Sequence, residues 1–139
     1  MRRLSITINR INTKVAESFL AAAPSVKAGF LNLFKIIIEQ SVKDSDKKGC
    51  FVVNTTTELI PNDEKWLPVL DRNRKNFEAI FLKHLKRGVA QGEIKSNKDL
   101  KSIAALIYAL NNGLQVVAKI NPSKKDLMKI VEAGLGVLD

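Results

Sequence analysis

Between Asn97 and Val117 the chain carries more apolar surface than a single packed layer can hide. Leu100, Ile103, Leu106, Ile107, Leu110, Leu114 and Val117 recur at helical spacing, and Ala104, Ala105, Ala109 and Ala118 widen the stripe around most of the helix. Asn97 is a good N-cap residue, and Asp99 falls in the first turn, where a negative charge meets the positive end of the helix dipole. Such a helix needs neighbours on more than one side. A chain of 139 residues has few layers to offer, so a second copy of the chain is the economical cover.

The flanking segments also read as helices. Asn121-Pro122-Ser123 breaks the chain, and Ser123 with Asp126 three residues later makes a capping-box-like start. Leu127, Ile130, Val131, Leu135 and Leu138 follow at helical spacing. Gly134 and Gly136 weaken that helix by roughly 1 kcal/mol each relative to Ala, and glycine there lets a neighbouring backbone approach closely. Upstream, a long helix is predicted from about Asp63 to Gln91, ended by Gly92 as its C-terminal cap. Trp66, Leu70, Phe77, Phe81, Leu85 and Val89 mark its apolar face, and it would be about 40 Å long. Pro61 stops the element before it, and Pro68 fits its first turn.

Nearer the N-terminus, Ser25 can cap a helix carrying Val26, Phe30, Leu33, Phe34, Ile37 and Ile38, with a charged loop from Asp44 to Lys48. The first segment reads two ways. Leu4, Ile8, Ile11, Val15 and Phe19 fit a helix, whereas Leu4, Ile6 and Ile8 alternate as in a strand. The helical spacing persists longer and is preferred. With no βαβ alternation, hairpin signal or repeat, the expected class is all-α in one domain, 1–139.

Composition narrows the chemistry. A hydrophobic fraction of 45% is that of an ordinary globular protein. Apolar runs such as Phe34 to Ile38 are far too short for a bilayer, and nothing at the N-terminus marks secretion. Cys50 is the only cysteine; one thiol and one histidine make neither an internal disulfide nor a convincing metal site, and no cofactor is expected. A reducing cytoplasm is the natural compartment. The net charge of +9 fits a solvated basic surface or, alternatively, a helical module that binds nucleic acid directly. Lys83, Lys86 and Arg87 crowd one helix end, where cations meet the dipole. His84 beside them, without ligand-spaced neighbours, reads as a surface residue. No nucleophile constellation, phosphate loop or apolar carboxylate pair supports an enzyme.

One stretch escapes periodicity. Gly49-Cys50-Phe51-Val52-Val53-Asn54-Thr55-Thr56-Thr57-Glu58-Leu59 would be a strand on propensity alone. Its glycine-cysteine pair, three apolar residues, Asn54, small polar run and Glu58 resemble the sixth helix of TetR-family transcriptional regulators. Trp66 to Gly92-Glu93 looks like that family's long seventh helix, which often closes on a Gly-Glu pair. Leu100 to Ile120 looks like the eighth helix and Ser123 to Leu138 the ninth. Arg2 to Ala22 looks like the connecting fourth helix (1–22). The family's three-helix DNA-binding head has no counterpart here.

The resemblance therefore implies a six-helix effector-binding and dimerisation domain, whose last two helices (97–138) form a four-helix bundle across a homodimer. It implies an unidentified small-molecule effector, contact with DNA only through a head outside this chain, and no membrane partner. The apolar positions available to the bundle are Ile103, Ile107, Leu110, Leu114, Leu127, Ile130, Val131, Gly134, Leu135 and Leu138; an ordinary intramolecular core would use the same residues. For the effector pocket, Asn54, Glu58, Asn111 and Gln115 are polar residues in apolar helices, with Phe34, Phe51, Trp66, Phe77, Phe81 and Tyr108 as walls. Asn54 and Glu58 can instead bond neighbouring backbone and each other across a helical turn, and the aromatics can be plain core.

Overall fold

The computed structural model describes residues 12–43, 65 and 67–139. Five α-helices follow one another: α1 Thr13–Ala22, α2 Val26–Lys43, α3 Leu67–Ala90, α4 Leu100–Ile120 and α5 Lys124–Leu135, with a 3-10 turn Gly136–Leu138 closing the chain. The Gly49–Glu58 motif lies outside the described residues, as do Trp66 and the residues before Asn12.

Local chemistry sets the helix starts. Asn12 caps α1 by accepting from Val15 N, and Ser123 caps α5 by accepting from Asp126 N. For α4 the cap is Asp99, which accepts from Ser102 N, rather than Asn97. Both are good capping residues, and Asp99 is the one followed directly by the apolar stripe. Gly92 ends α3 with φ +79, and Glu93 N and Ile94 N both return to the carbonyl of Gly88.

Helix α2 is the hub, packing on α1, α3, α4 and α5. It buries Val26, Gly29, Phe30, Leu33, Phe34, Ile37 and Ile38, which together cover about half its circumference. The first N–H groups of a helix have no partner inside it, and at α2 the protein's own side chains supply the partners. The Glu93 carboxylate accepts from Val26 N at 2.8 Å and from Lys27 N at 2.9 Å, and Ser25 Oγ accepts from Ala28 N at 3.1 Å. The turn after α3 thereby caps α2 from 67 residues away.

Helices α4 and α5 press Ile103, Ala104, Ile107, Leu114, Leu127, Val131 and Leu135 into the same core. By length and composition alone α4 is long and apolar enough to cross a membrane. Here it is one wall of the bundle and carries Asn111, Asn112 and Gln115 on its second half. Gly134 faces Leu110 of α4 within the same chain, so its close approach is intramolecular.

Two glycines on α3 and α5 should respond differently to alanine. At Gly88 a Cβ would lie 2.7 Å from Ile94 Cδ1 and 3.2 Å from Val26 Cγ2, both on buried side chains. Gly88→Ala should cost about 1–3 kcal/mol in urea denaturation. At Gly134 the crowding atom, 2.8 Å away, is the end of the half-buried Leu110. There the gain of about 1 kcal/mol in helix propensity should offset the contact, leaving Gly134→Ala near neutral. Removing the distant cap with Glu93→Ala should cost about 1 kcal/mol, with amide protection lost first at Val26 and Lys27.

Candidate ligand site and pairing face

Antiparallel packing of α3 on α4 sets out a line of aromatic rings. Phe30 meets Phe81 edge-on, with centroids 5.5 Å apart and planes at 70°. Phe81 leads to Phe77 at 6.0 Å, and Phe77 to Tyr108 at 6.2 Å. The line starts in the deep core and ends on half-buried rings where polar groups gather. Asn73 Nδ2 lies 3.4 Å from the Tyr108 hydroxyl, and one turn further along α4 Gln115 donates to Asn111 Oδ1 at 3.1 Å. An apolar wall ending in a few oriented amides and a hydroxyl can hold an apolar molecule and fix its orientation.

Of the pocket residues expected from sequence, Phe34 and Phe81 are core, 1% and 4% exposed. Phe77 and Tyr108 touch, and Asn111 and Gln115 bond each other on the same helix. Phe51, Asn54, Glu58 and Trp66 lie outside the described residues. Asn73 carried no signal: it sits in the charged run Asp71-Arg72-Asn73-Arg74, which reads as solvated surface. A shallow groove of about 250 Å³ on the outer side of α3 and α4 is lined by Lys75, Glu78, Ala79, Leu82, Lys101 and Ala104, none of them among those candidates.

The residues expected at the dimer interface divide by burial. Ile103, Ile107, Leu114, Leu127, Val131, Leu135 and Leu138 are all 6% exposed or less, so these residues serve the chain's own core. Leu110 is half-buried against Gly134, and Ile130 is 40% exposed. The outward apolar side chains of α4 are instead Leu106, Val116, Val117 and Ile120. With Ala109 and the open Gly113 they run down one side of the helix at steps of three and four. Periodicity correctly finds two apolar faces on α4 but cannot say which one α2 takes.

His84 is a second correction. It is 3% exposed rather than on the surface. Its Nε2 lies 2.9 Å from Glu17 Oε2, and its Nδ1 lies 3.1 Å from Arg87 Nη2. Arg87 Nη2 also donates to the Leu20 carbonyl at 2.9 Å, and Lys83 donates to Glu17 Oε1 at 2.7 Å. The cations crowding the end of α3 thus reach across to α1. The Lys83 hydrogen bond, then the His84 one, hold the Glu17 carboxyl below its ordinary range. On the exposed flank of α3, Arg74 and then Lys75 do the same for Asp71. A few of the 23 basic side chains likewise form internal pairs: Lys27 with Asp139, Arg74 with Asp71 and Glu78, Lys75 with Asp71. Among the described residues, no group of three or more His, Cys, Asp or Glu side chains could hold a metal ion.

Comparison with known proteins places this geometry. The model of a family described as the tetracyclin repressor-like, C-terminal domain matches residues 30–133. The uncharacterized HTH-type transcriptional regulator YezE of Bacillus subtilis is 28% identical over 92% of this chain and 66% of its own length. The HTH-type transcriptional repressor ComR of Escherichia coli is 24% identical over 88% of this chain and 59% of its own. The chain thus spans about two thirds or less of these relatives. A cysteine mutant of the TetR family transcriptional regulator CifR, complexed with 26-base-pair operator DNA, superposes with a TM-score of 0.76 at 25% identity, over 88% of this chain and 64% of CifR. A second CifR mutant shares the fold with a TM-score of 0.81 over 98% of this chain and 70% of its own. The chain belongs to the tetracyclin repressor-like C-terminal domain family.

Proposed function

We propose that this chain is the effector-sensing and homodimerisation domain of a cytoplasmic transcriptional regulator, in which a small molecule alters DNA affinity through the dimer. The exposed apolar stripe Leu106, Ala109, Gly113, Val116, Val117 and Ile120 carries the reading. Exposed large apolar side chains aligned along one helix, together with the exposed Ile130 of α5, are what an isolated monomer avoids and a symmetric dimer covers. The naming of YezE and ComR as HTH-type transcriptional proteins supports the regulatory role. The operator-bound state of CifR supports DNA as a partner of the longer protein.

The aromatic line from Phe30 to Tyr108 supports the sensing role. A molecule seated against Phe77 and Tyr108 would touch α3 and α4 together, so one event could shift both the pairing helix and the helix that holds α1. The shift requires a ligand with different affinity for the two dimer geometries.

Analytical ultracentrifugation at tens of micromolar should show a dimer. Val117→Glu should give a monomer of unchanged helicity, because the site faces outward; a wild-type monomer, or a dimer indifferent to Val117, would move the interface elsewhere. In a thermal-shift screen of small apolar and aromatic compounds, hits should raise the wild-type Tm and lose that effect in Tyr108→Ala. Hits indifferent to Tyr108 would place the pocket away from the α3–α4 crossing.

A further inference from the structure

His84 has no part in sensing or pairing as described above, yet it is nearly inaccessible and held at both ring nitrogens. A guanidinium has N–H donors and no acceptor. Arg87 Nη2, 3.1 Å from Nδ1, therefore requires that nitrogen to accept, so it carries no proton. The hydrogen then sits on Nε2 and is donated to Glu17. These contacts fit a neutral imidazole with its hydrogen on Nε2. The same Nη2 of Arg87 holds the carbonyl of Leu20 on the last turn of α1.

The charged groups facing His84 are few. Among the described residues, Glu17 meets it from α1 and Arg87 from its own helix, while Lys83 reaches the other oxygen of Glu17. Helix α2 brings no charged side chain into hydrogen-bond or ion-pair contact with it.

We propose that His84 is a proton-operated latch between α1 and α3: neutral, it holds Arg87 on the Leu20 carbonyl; protonated, it releases Arg87 and frees the end of α1. A proton taken from solvent onto Nδ1 turns an acceptor into a donor facing a guanidinium. That deletes the hydrogen bond and sets two like charges in contact. The imidazolium keeps Glu17, its opposite charge, and Arg87 must withdraw. Its Nε is already buried without a partner, so little else holds the head of the side chain in place. Glu17 stays ionised through the change because its carboxyl titrates below the ordinary range. The latch concerns contacts inside this chain and does not depend on the effector reading.

NMR on the whole chain tests it. At about pH 7.5 the imidazole should show hydrogen on Nε2 alone. As the pH falls from about 7.5 to about 5.5, exchange of the α1 amides from Phe19 to Ala22 should quicken about tenfold beyond the intrinsic pH effect. Amides of α5 should not follow. His84→Gln supplies an amide oxygen for Arg87 and an N–H for Glu17 without titrating, and its α1 protection should be the same at both pH values. A proton on Nδ1 at neutral pH, equal wild-type protection at both pH values, or an equal rise in His84→Gln would each overturn the latch. Should His84→Gln fail to fold, the wild-type tautomer and exchange still decide.

Discussion

The fold depends on a helix that cannot start by itself. Helix α2 touches every other described helix, and protein side chains meet its first N–H groups. Ser25 can reach only Ala28 N; the two groups before it are bonded by the carboxylate of Glu93. The negative charge also meets the positive end of the α2 dipole, an interaction worth about 0.3–1 kcal/mol in addition to the hydrogen bonds. To place that carboxylate, α3 must stop sharply, and Gly92 in the left-handed region turns the chain there. The Gly-Glu pair is thus one device: the glycine aims the glutamate, and the glutamate starts the hub.

Once α2 is fixed, the faces of α4 and α5 are assigned by what it can cover. Ile103, Ile107 and Leu114 of α4 and Leu127, Val131 and Leu135 of α5 turn inward. Leu110 against Gly134 brings α4 and α5 together. The apolar residues left over on α4 face outward in one line. The excess apolar surface legible in the sequence is therefore real, but its outward part is Leu106, Val116, Val117 and Ile120.

Signals carried within a few residues were legible. Ser25, Gly92 and Ser123 act at the helix ends where their neighbours predict, because a cap bonds groups two or three positions away. Asn97 and Asp99 are both capping residues, and only the register of the stripe against α2 separates them. His84 was misread for the opposite reason: its carboxylate is 67 residues upstream, so no local spacing announces it. Asn73 likewise gains its meaning from Tyr108 on another helix. The Gly49–Glu58 motif marked the family well, while the pocket roles of Asn54 and Glu58 rest on residues outside those described.

The helices are also held by different forces. Helix α2 buries seven residues, and α5 buries Leu127, Val131 and Leu135 completely; at about 1.5–3 kcal/mol per large side chain, apolar burial dominates there. Helix α1 packs on α2 through the buried Leu20, which lies against Gly29, and also buries Ala16. Its polar ties run to α3: Glu17 to Lys83 and His84, and Arg87 to the Leu20 carbonyl. Sheltered hydrogen bonds to charged groups contribute about 1.5–3 kcal/mol each, the exposed Glu17–Lys83 pair less than about 1 kcal/mol, and unlike apolar contacts they change when a group changes its protonation. Apolar contact between α2 and α5 varies little with solution conditions, whereas the polar ties of α1 depend on the charges of Glu17, Lys83, His84 and Arg87. Helix α1 therefore combines apolar packing on α2 with polar ties to α3, and only the polar ties can respond to a change of protonation.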